Sequence, residues 1–367
     1  MAALKDLYSP IFYKKLALIL EQTVPSFDSI RFTNLIFTPD FEHKELKERM
    51  RHTAQVLHNF LPDDFGEAFL VIEKIIAKLR EERFGGQSLE FMFLPDYIET
   101  YGINDYKTAV TAIEFTTQFV SCEFAVRPFL IKYGDQMLEQ MERWSMHSNY
   151  HVRRLATEGS RPRLPWAIAV PALKKNPKPI FQLLENLKDD PSEYVRRSVA
   201  NNLNDIARDH PQIVIDIARK WKGGSKETDA IIKHGSRTLL KQGHPEILSH
   251  YGLDNTGISL SDFKILSPEV KNGEQLTFTF TISNNGTVPK TVRLEYAVYY
   301  NKANGVLSKK VFKISERIYA GNEKIKVLRN QSFRPITTRK YYPGTHKLSI
   351  IVNGEEQIIE DFILADH

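Results

Sequence analysis

Near residue 253 the spacing of apolar residues changes, and that change divides what the chain can fold into. Before it, Leu46, Met50, Val56, Leu57 and Phe60, then Phe69, Ile72, Ile75, Ile76 and Leu79, recur at helical spacing. Helix breakers punctuate this part at Pro25, Pro62, Gly85-Gly86, Gly102, Pro162 and Pro211. After it the pattern alternates. In "QLTFTFTISNNGTVPKTVRLEYAVYY", Leu276, Phe278, Phe280 and Ile282 share one face of a strand, and Asn284-Asn285-Gly286 reads as the turn to a second strand. "HKLSIIVNGEEQIIEDFIL" reads as a further hairpin on Asn353-Gly354. About seven such strands fit an immunoglobulin-like sandwich. The expected architecture is therefore an all-α region over residues 1–253 followed by an all-β sandwich over residues 254–367.

The helical part repeats itself. "YHVRRLATEG" begins at Tyr150, "EYVRRSVANN" at Glu193 and a fainter "KHGSRTLLKQ" at Lys233, which spaces Arg153, Arg196 and Arg237 by 43 and 41 residues. That period belongs to a HEAT-like solenoid, in which helical pairs stack to bury a continuous core. The Val-Arg-Arg element would open each inner helix, with valine inward and arginines on the concave face.

At 42% hydrophobic and 26% charged residues the chain has the composition of a folded globular protein. No apolar run approaches the ~18 residues of a membrane span. The N-terminal "MAALKDLYSPIFYKK" mixes charges and has no signal-peptide core. A lone cysteine, Cys122, excludes an internal disulfide and a cysteine-based zinc site, which fits a reducing cytoplasm. Net charge is +5, but residues 1–150 carry 16 Lys+Arg against 22 Asp+Glu, and residues 151–253 carry 18 against 11. A basic middle suits a polyanion. Arg161 and Arg163, just past the first repeat helix, add forked phosphate donors. The competing reading is that the arginines pair with acids inside the stack.

Three carboxylates stand out by where they lie, two of them, Glu158 and Asp205, within that basic region. Glu123 lies in the apolar "FVSCEFAVRPFL", Glu158 ends the first repeat helix, and Asp205 lies well along the second. Helical neighbours offer each a bland role: Glu123 could pair with Arg127 at i+4, and Asp205 with Arg208 at i+3. Acids beside a phosphate-binding surface are electrostatically costly unless they stabilise a cation. His147-x-x-x-His151 has helical metal-ligand spacing without a third ligand, and no G-x-x-x-x-G-K-[ST] phosphate loop occurs.

"SCEFAVRPF", "HVRRLATEGSRPRLPWA" and "YVRRSVANNLNDIARDHP" resemble motifs of the AlkC-type alkylpurine DNA glycosylases, HEAT-repeat relatives of the AlkD glycosylases. The resemblance covers the helical region to about residue 250, and some members carry a C-terminal immunoglobulin-like domain. It implies removal of 3-methyladenine-type bases from duplex DNA by hydrolysis of the N-glycosidic bond. It marks Glu123, Glu158 and Asp205 as active-site acids and Trp166 as the aromatic beside the lesion. The motifs contain no lysine for a Schiff base, so the expected enzyme is monofunctional, leaves an abasic site and needs no metal or other cofactor. The expected duplex contacts are Arg153, Arg154, Arg161, Arg163, Arg196 and Arg197, with Arg339 and Lys340 on an end loop of the sandwich beside Tyr341 and Tyr342. A monomer without membrane attachment is expected. The rival reading is a non-catalytic HEAT scaffold that binds DNA or protein.

Overall fold

The computed structural model describes residues 3–84, 88–335 and 340–365; the Gly85-Gly86 breaker lies outside them. Two compact units are formed, Met1–Gly235 and Ser236–His367. The first unit opens with α1 (Pro10–Thr23), α2 (Ser29–Ile36), α3 (Leu46–His58), α4 (Phe65–Glu81), α5 (Phe93–Tyr101) and α6 (Tyr106–Thr117). It continues through α7 (Val126–Tyr133), α8 (Asp135–Ser145), α9 (Tyr150–Gly159), α10 (Pro171–Lys175) and α11 (Phe181–Leu187). Then come α12 (Glu193–Ile206), α13 (Pro211–Trp221) and α14 (Lys226–Gly235).

Local chemistry explains the boundaries. Ser9, Asp28, Asp64 and Asp105 accept from backbone N–H groups in the first turns of α1, α2, α4 and α6, which satisfies donors the helix cannot. Pro211 starts α13, where its missing N–H costs nothing. On α4, Phe69, Ile72, Ile75, Ile76 and Leu79 are all buried, as their spacing requires. In the stack, α9 packs on α12 and α12 on α14, while α8, α11 and α13 back them. The third repeat differs from its sequence signal. "KHGSRTLLKQ" straddles the end of α14 and the start of α15 (Arg237–Lys241), so Arg237 does not open an inner helix. The helix that packs on α12 begins at Lys226, 33 residues after Glu193. No helix among the described residues is long and apolar enough to cross a membrane.

The second unit contains α15, α16 (Pro245–His250) and eight strands among the described residues. These are β1 (Ile258–Ile265), β2 (Glu269–Lys271), β3 (Gln275–Asn284), β4 (Lys290–Asn301), β5 (Leu307–Tyr319), β6 (Lys324–Ser332), β7 (Gly344–Val352) and β8 (Glu355–Ala365). One sheet runs β1-β3-β6 and the other β2-β8-β7-β4-β5. Leu276, Phe278, Phe280 and Ile282 are fully buried and meet Leu294, Val298, Leu348 and Ile350 between the sheets. β7 and β8 form the expected hairpin, with Asn353 and Gly354 both at positive φ (46° and 79°), the geometry of a primed turn. β3 and β4, by contrast, are no hairpin: β3 pairs with β1 and β6, β4 with β5 and β7, so the Asn284-Asn285-Gly286 segment crosses between sheets. Backbone contact seals α15 and α16 to this unit. A Cβ at Gly243 would lie 2.5 Å from the Gly354 carbonyl oxygen, so no side chain fits there.

Candidate active site

Helical spacing and stacking together build one ionic row. On α9, Arg154 and Glu158 sit one turn apart, and the chain leaves the helix to place Arg161 three residues further on. On α12, Ser198, Asn202 and Asp205 occupy one face at i, i+4 and i+7, and all three are buried. Glu123 comes from the turn before α7. Arg154 bonds the Glu123 carboxylate and lies 3.5 Å from Glu158. Arg161 Nη1 donates to Glu158 Oε1 at 2.7 Å and its Nε to Asp205 Oδ2 at 2.8 Å. The order Glu123–Arg154–Glu158–Arg161–Asp205 thus alternates in charge across three segments of the chain.

The helical partners offered by sequence spacing are not used. Arg127 does not pair with Glu123, and Asp205 bonds Arg161 rather than Arg208. The two buried carboxylates on neighbouring helices differ. Burial acts to raise the Glu158 pKa, but Arg154, Arg161 and the Ser198 hydroxyl, which donates at 2.5 Å, outweigh it and leave the group below its ordinary value. Burial wins at Asp205, which is held above its ordinary value although Arg161 and Arg208 oppose the shift.

The arginines assigned to DNA fall into distinct settings. Arg153 is half-buried against the buried Asp190, with Nε to Oδ2 at 2.6 Å, and its Nη1 donates to the carbonyls of His147 and Ser148. Arg196 does the same job one repeat later, donating to the carbonyls of Asp190 and Pro191. Both therefore staple the loop before their helix instead of standing free on a concave surface. Arg161 is buried and Arg154 half-buried in the ionic row. Arg163 pairs with Asp209 at 2.6 Å in a more open setting, and Arg197 is exposed. On the second unit, Lys340 is exposed with its ammonium 5.3 Å from the Tyr342 ring, whereas Tyr341 is packed into the core against Phe333. Arg339 lies outside the described residues. His147 accepts a hydrogen bond from the Asn149 amide, and no group of three or more metal-ligating side chains occurs among the described residues.

Trp166 is 60% exposed and holds a φ of 65°, a left-handed conformation that a bulky residue rarely adopts. Its place in the "RPRLPWA" turn puts it five residues past Arg161. Spacing along the chain does not reveal Ser198 and Asn202, nor Ser121, which accepts from Arg154 Nη1 at 2.8 Å and donates to Glu123 Oε2 at 2.9 Å. Asn202 Nδ2 donates to the Thr157 carbonyl at 2.8 Å and ties α12 to α9. The signal was available: Ser198, Asn202 and Asp205 make a polar stripe where a stacked inner helix needs apolar residues.

Comparison with known proteins gives consistent neighbours. Residues 96–231 match the family model described as DNA alkylation repair enzyme. Residues 259–366 match the one described as uncharacterised protein YhaZ, C-terminal Ig-like domain. Over 363 residues, covering 99% of both chains, the sequence is 42% identical to the uncharacterized protein YhaZ of Bacillus subtilis. The solved alkylpurine DNA glycosylase AlkC of Pseudomonas fluorescens, bound to DNA containing an abasic site analog, is 32% identical. It superposes with a TM-score of 0.93 over 99% of this chain and 100% of that one.

Proposed function

From the premise that this chain belongs to the AlkC family of DNA alkylation repair proteins, we propose that it is a monofunctional glycosylase for cationic N-alkylated purines in duplex DNA. The observation that carries this reading is the ionic row, three carboxylates from separate segments held by Arg154 and Arg161 of the basic middle of the chain.

An N3-alkylated adenine is already cationic and leaves without a general acid. The sugar left behind is oxocarbenium-like, and a fixed carboxylate stabilises that developing positive charge. Asp205 is the best placed for this role: it ends the row and bonds Arg161, with Arg208 acting through its charge alone, whereas Glu158 is held by two arginines and a serine. Glu123 and Glu158 set the positions of Arg154 and Arg161. Trp166 offers an exposed aromatic face to a positively charged base, an attraction stronger for a cation than for a neutral one. Duplex is held by outward cations such as Arg197 and Arg163, and by Lys340 and Arg339 on the second unit, with Arg153 and Arg196 assigned to the fold.

The test is release of free 3-methyladenine from methylated duplex, followed by detection of an abasic strand that stays intact until treated with alkali. Asp205→Asn, which removes charge at nearly constant shape, should keep duplex affinity and lose base release by about 10²–10³-fold. A scaffold without chemistry would release no base at all, and a wild-type rate in Asp205→Asn would remove the carboxylate from the mechanism.

A further inference from the structure

Arg127 is fully buried on α7, yet it bonds carbonyl oxygens rather than a carboxylate. Its Nη1 donates to the carbonyl oxygens of Gly159 and Arg161, both at 2.8 Å, and its Nε to that of Ile168. Nη2 has no partner. Burying a charge with only neutral partners is expensive, and burial, with Arg161 close by, pulls this guanidinium down to about 10. What the fold gains is a clamp on the segment between α9 and α10, gripped at its start and at its end. Gly159 lets the clamp come close: a Cβ there would lie 2.5 Å from Val126 Cγ1.

A second cation grips the same segment from another helix. Lys47, in the first turn of α3, donates from Nζ to the Trp166 carbonyl oxygen at 2.5 Å. Its ammonium also lies 5.5 Å from the Phe124 ring, next to Glu123. Lys47, Phe124, Ala167 and Ile168 together wall a cavity of about 190 Å³. The two cations therefore bracket Trp166, the residue whose strained backbone most needs outside support.

We propose that Arg127 and Lys47 are positioning residues that preset the 159–168 segment, fixing the Trp166 ring for the lesion and the Arg161 guanidinium between Glu158 and Asp205. The catalytic part of this inference rests on the glycosylase reading; the mechanical part does not.

Of the three tryptophans only Trp166 is exposed, Trp144 and Trp221 being buried, so collisional quenching by acrylamide reads Trp166 nearly alone. Lys47→Met in the full chain should raise that quenching. It should also slow single-turnover base release by about tenfold, the scale of one charged hydrogen bond, with affinity for undamaged duplex unchanged. Lys47→Arg should restore both. Arg127→Lys, if it folds, should show the same pair of changes; if it does not fold, the Lys47 variants decide. Unaltered quenching in Lys47→Met would overturn the proposal, as would a rate loss matched by an equal loss of undamaged-duplex affinity, since Lys47 would then be a phosphate ligand. A wild-type protein that released no base would sink the glycosylase reading alone, and the quenching would still judge the clamp.

Discussion

The two Val-Arg-Arg helices share a sequence and divide its work differently. In each, the first arginine reaches back five and six residues to hold the preceding loop: Arg153 to His147 and Ser148, Arg196 to Asp190 and Pro191. The second arginine diverges. Arg154 is drawn inward by Glu123 and by Glu158 one turn on, while Arg197 has Asn201 at the corresponding position and stays exposed. What repeats in this solenoid is architecture, and chemistry resides where the second copy departs from the first.

Substitution of the paired arginines is the hardest test of that division. Arg153→Met leaves the buried Asp190 carboxylate without its half-buried partner and should cost about 3 kcal/mol in urea unfolding. Arg196→Met loses only carbonyl bonds and should cost about 1–2 kcal/mol. Neither should alter the salt dependence of duplex binding, and equal destabilisation would erase the difference between the repeats. Arg197→Ala gives a smaller effect in a different observable. The fold should hold while the slope of log K against log salt falls by about 0.9, the value of one phosphate contact. An unchanged slope would leave the exposed arginine as decoration.

The pH profile sharpens the comparison of the acids. Only the ionised forms stabilise a cation, so falling pH should silence first the group whose pKa is raised. That group is Asp205 on α12; Glu158 on α9, held below its ordinary value, stays charged further down. The acid limb of base release should therefore lie above pH ~3.9, the ordinary aspartate value, and be absent from the residual activity of Asp205→Asn. The stabilities run oppositely. Glu158 contributes stability above its unfolded value and loses it as pH falls through the folded one, whereas keeping Asp205 ionised costs stability. A limb that survives in Asp205→Asn would mean that another acid sets it.

Much of the fold was legible because it is local. The 3.6-residue spacing of Phe69, Ile72, Ile76 and Leu79 and the alternation of Leu276 to Ile282 name their elements without help from distant chain. Sheet membership is not local, which is why Asn284-Asn285-Gly286 passed for a hairpin turn. The acids were likewise found by their surroundings and misread in their partners. Spacing along one helix points from Glu123 to Arg127 and from Asp205 to Arg208, but stacking brings Arg154 from 31 residues away and Arg161 from 44. The third repeat slipped for the same reason, since its helix is recognised by packing on α12 and not by an arginine.

The burial of Arg127 near the ionic row bears on how a polyanion would sense this protein from a distance. Counted with Arg154 and Arg161, it brings three guanidiniums against the three carboxylates Glu123, Glu158 and Asp205, and the sum is zero. A neutral group of alternating charges has a field that fades much faster than that of a single ion, and salt removes the remainder beyond about 10 Å. On the glycosylase reading, an approaching duplex would therefore meet the outward lysines and arginines without repulsion from the acids beneath. The sign of each carboxylate is felt only at contact range, by whatever lies directly against it.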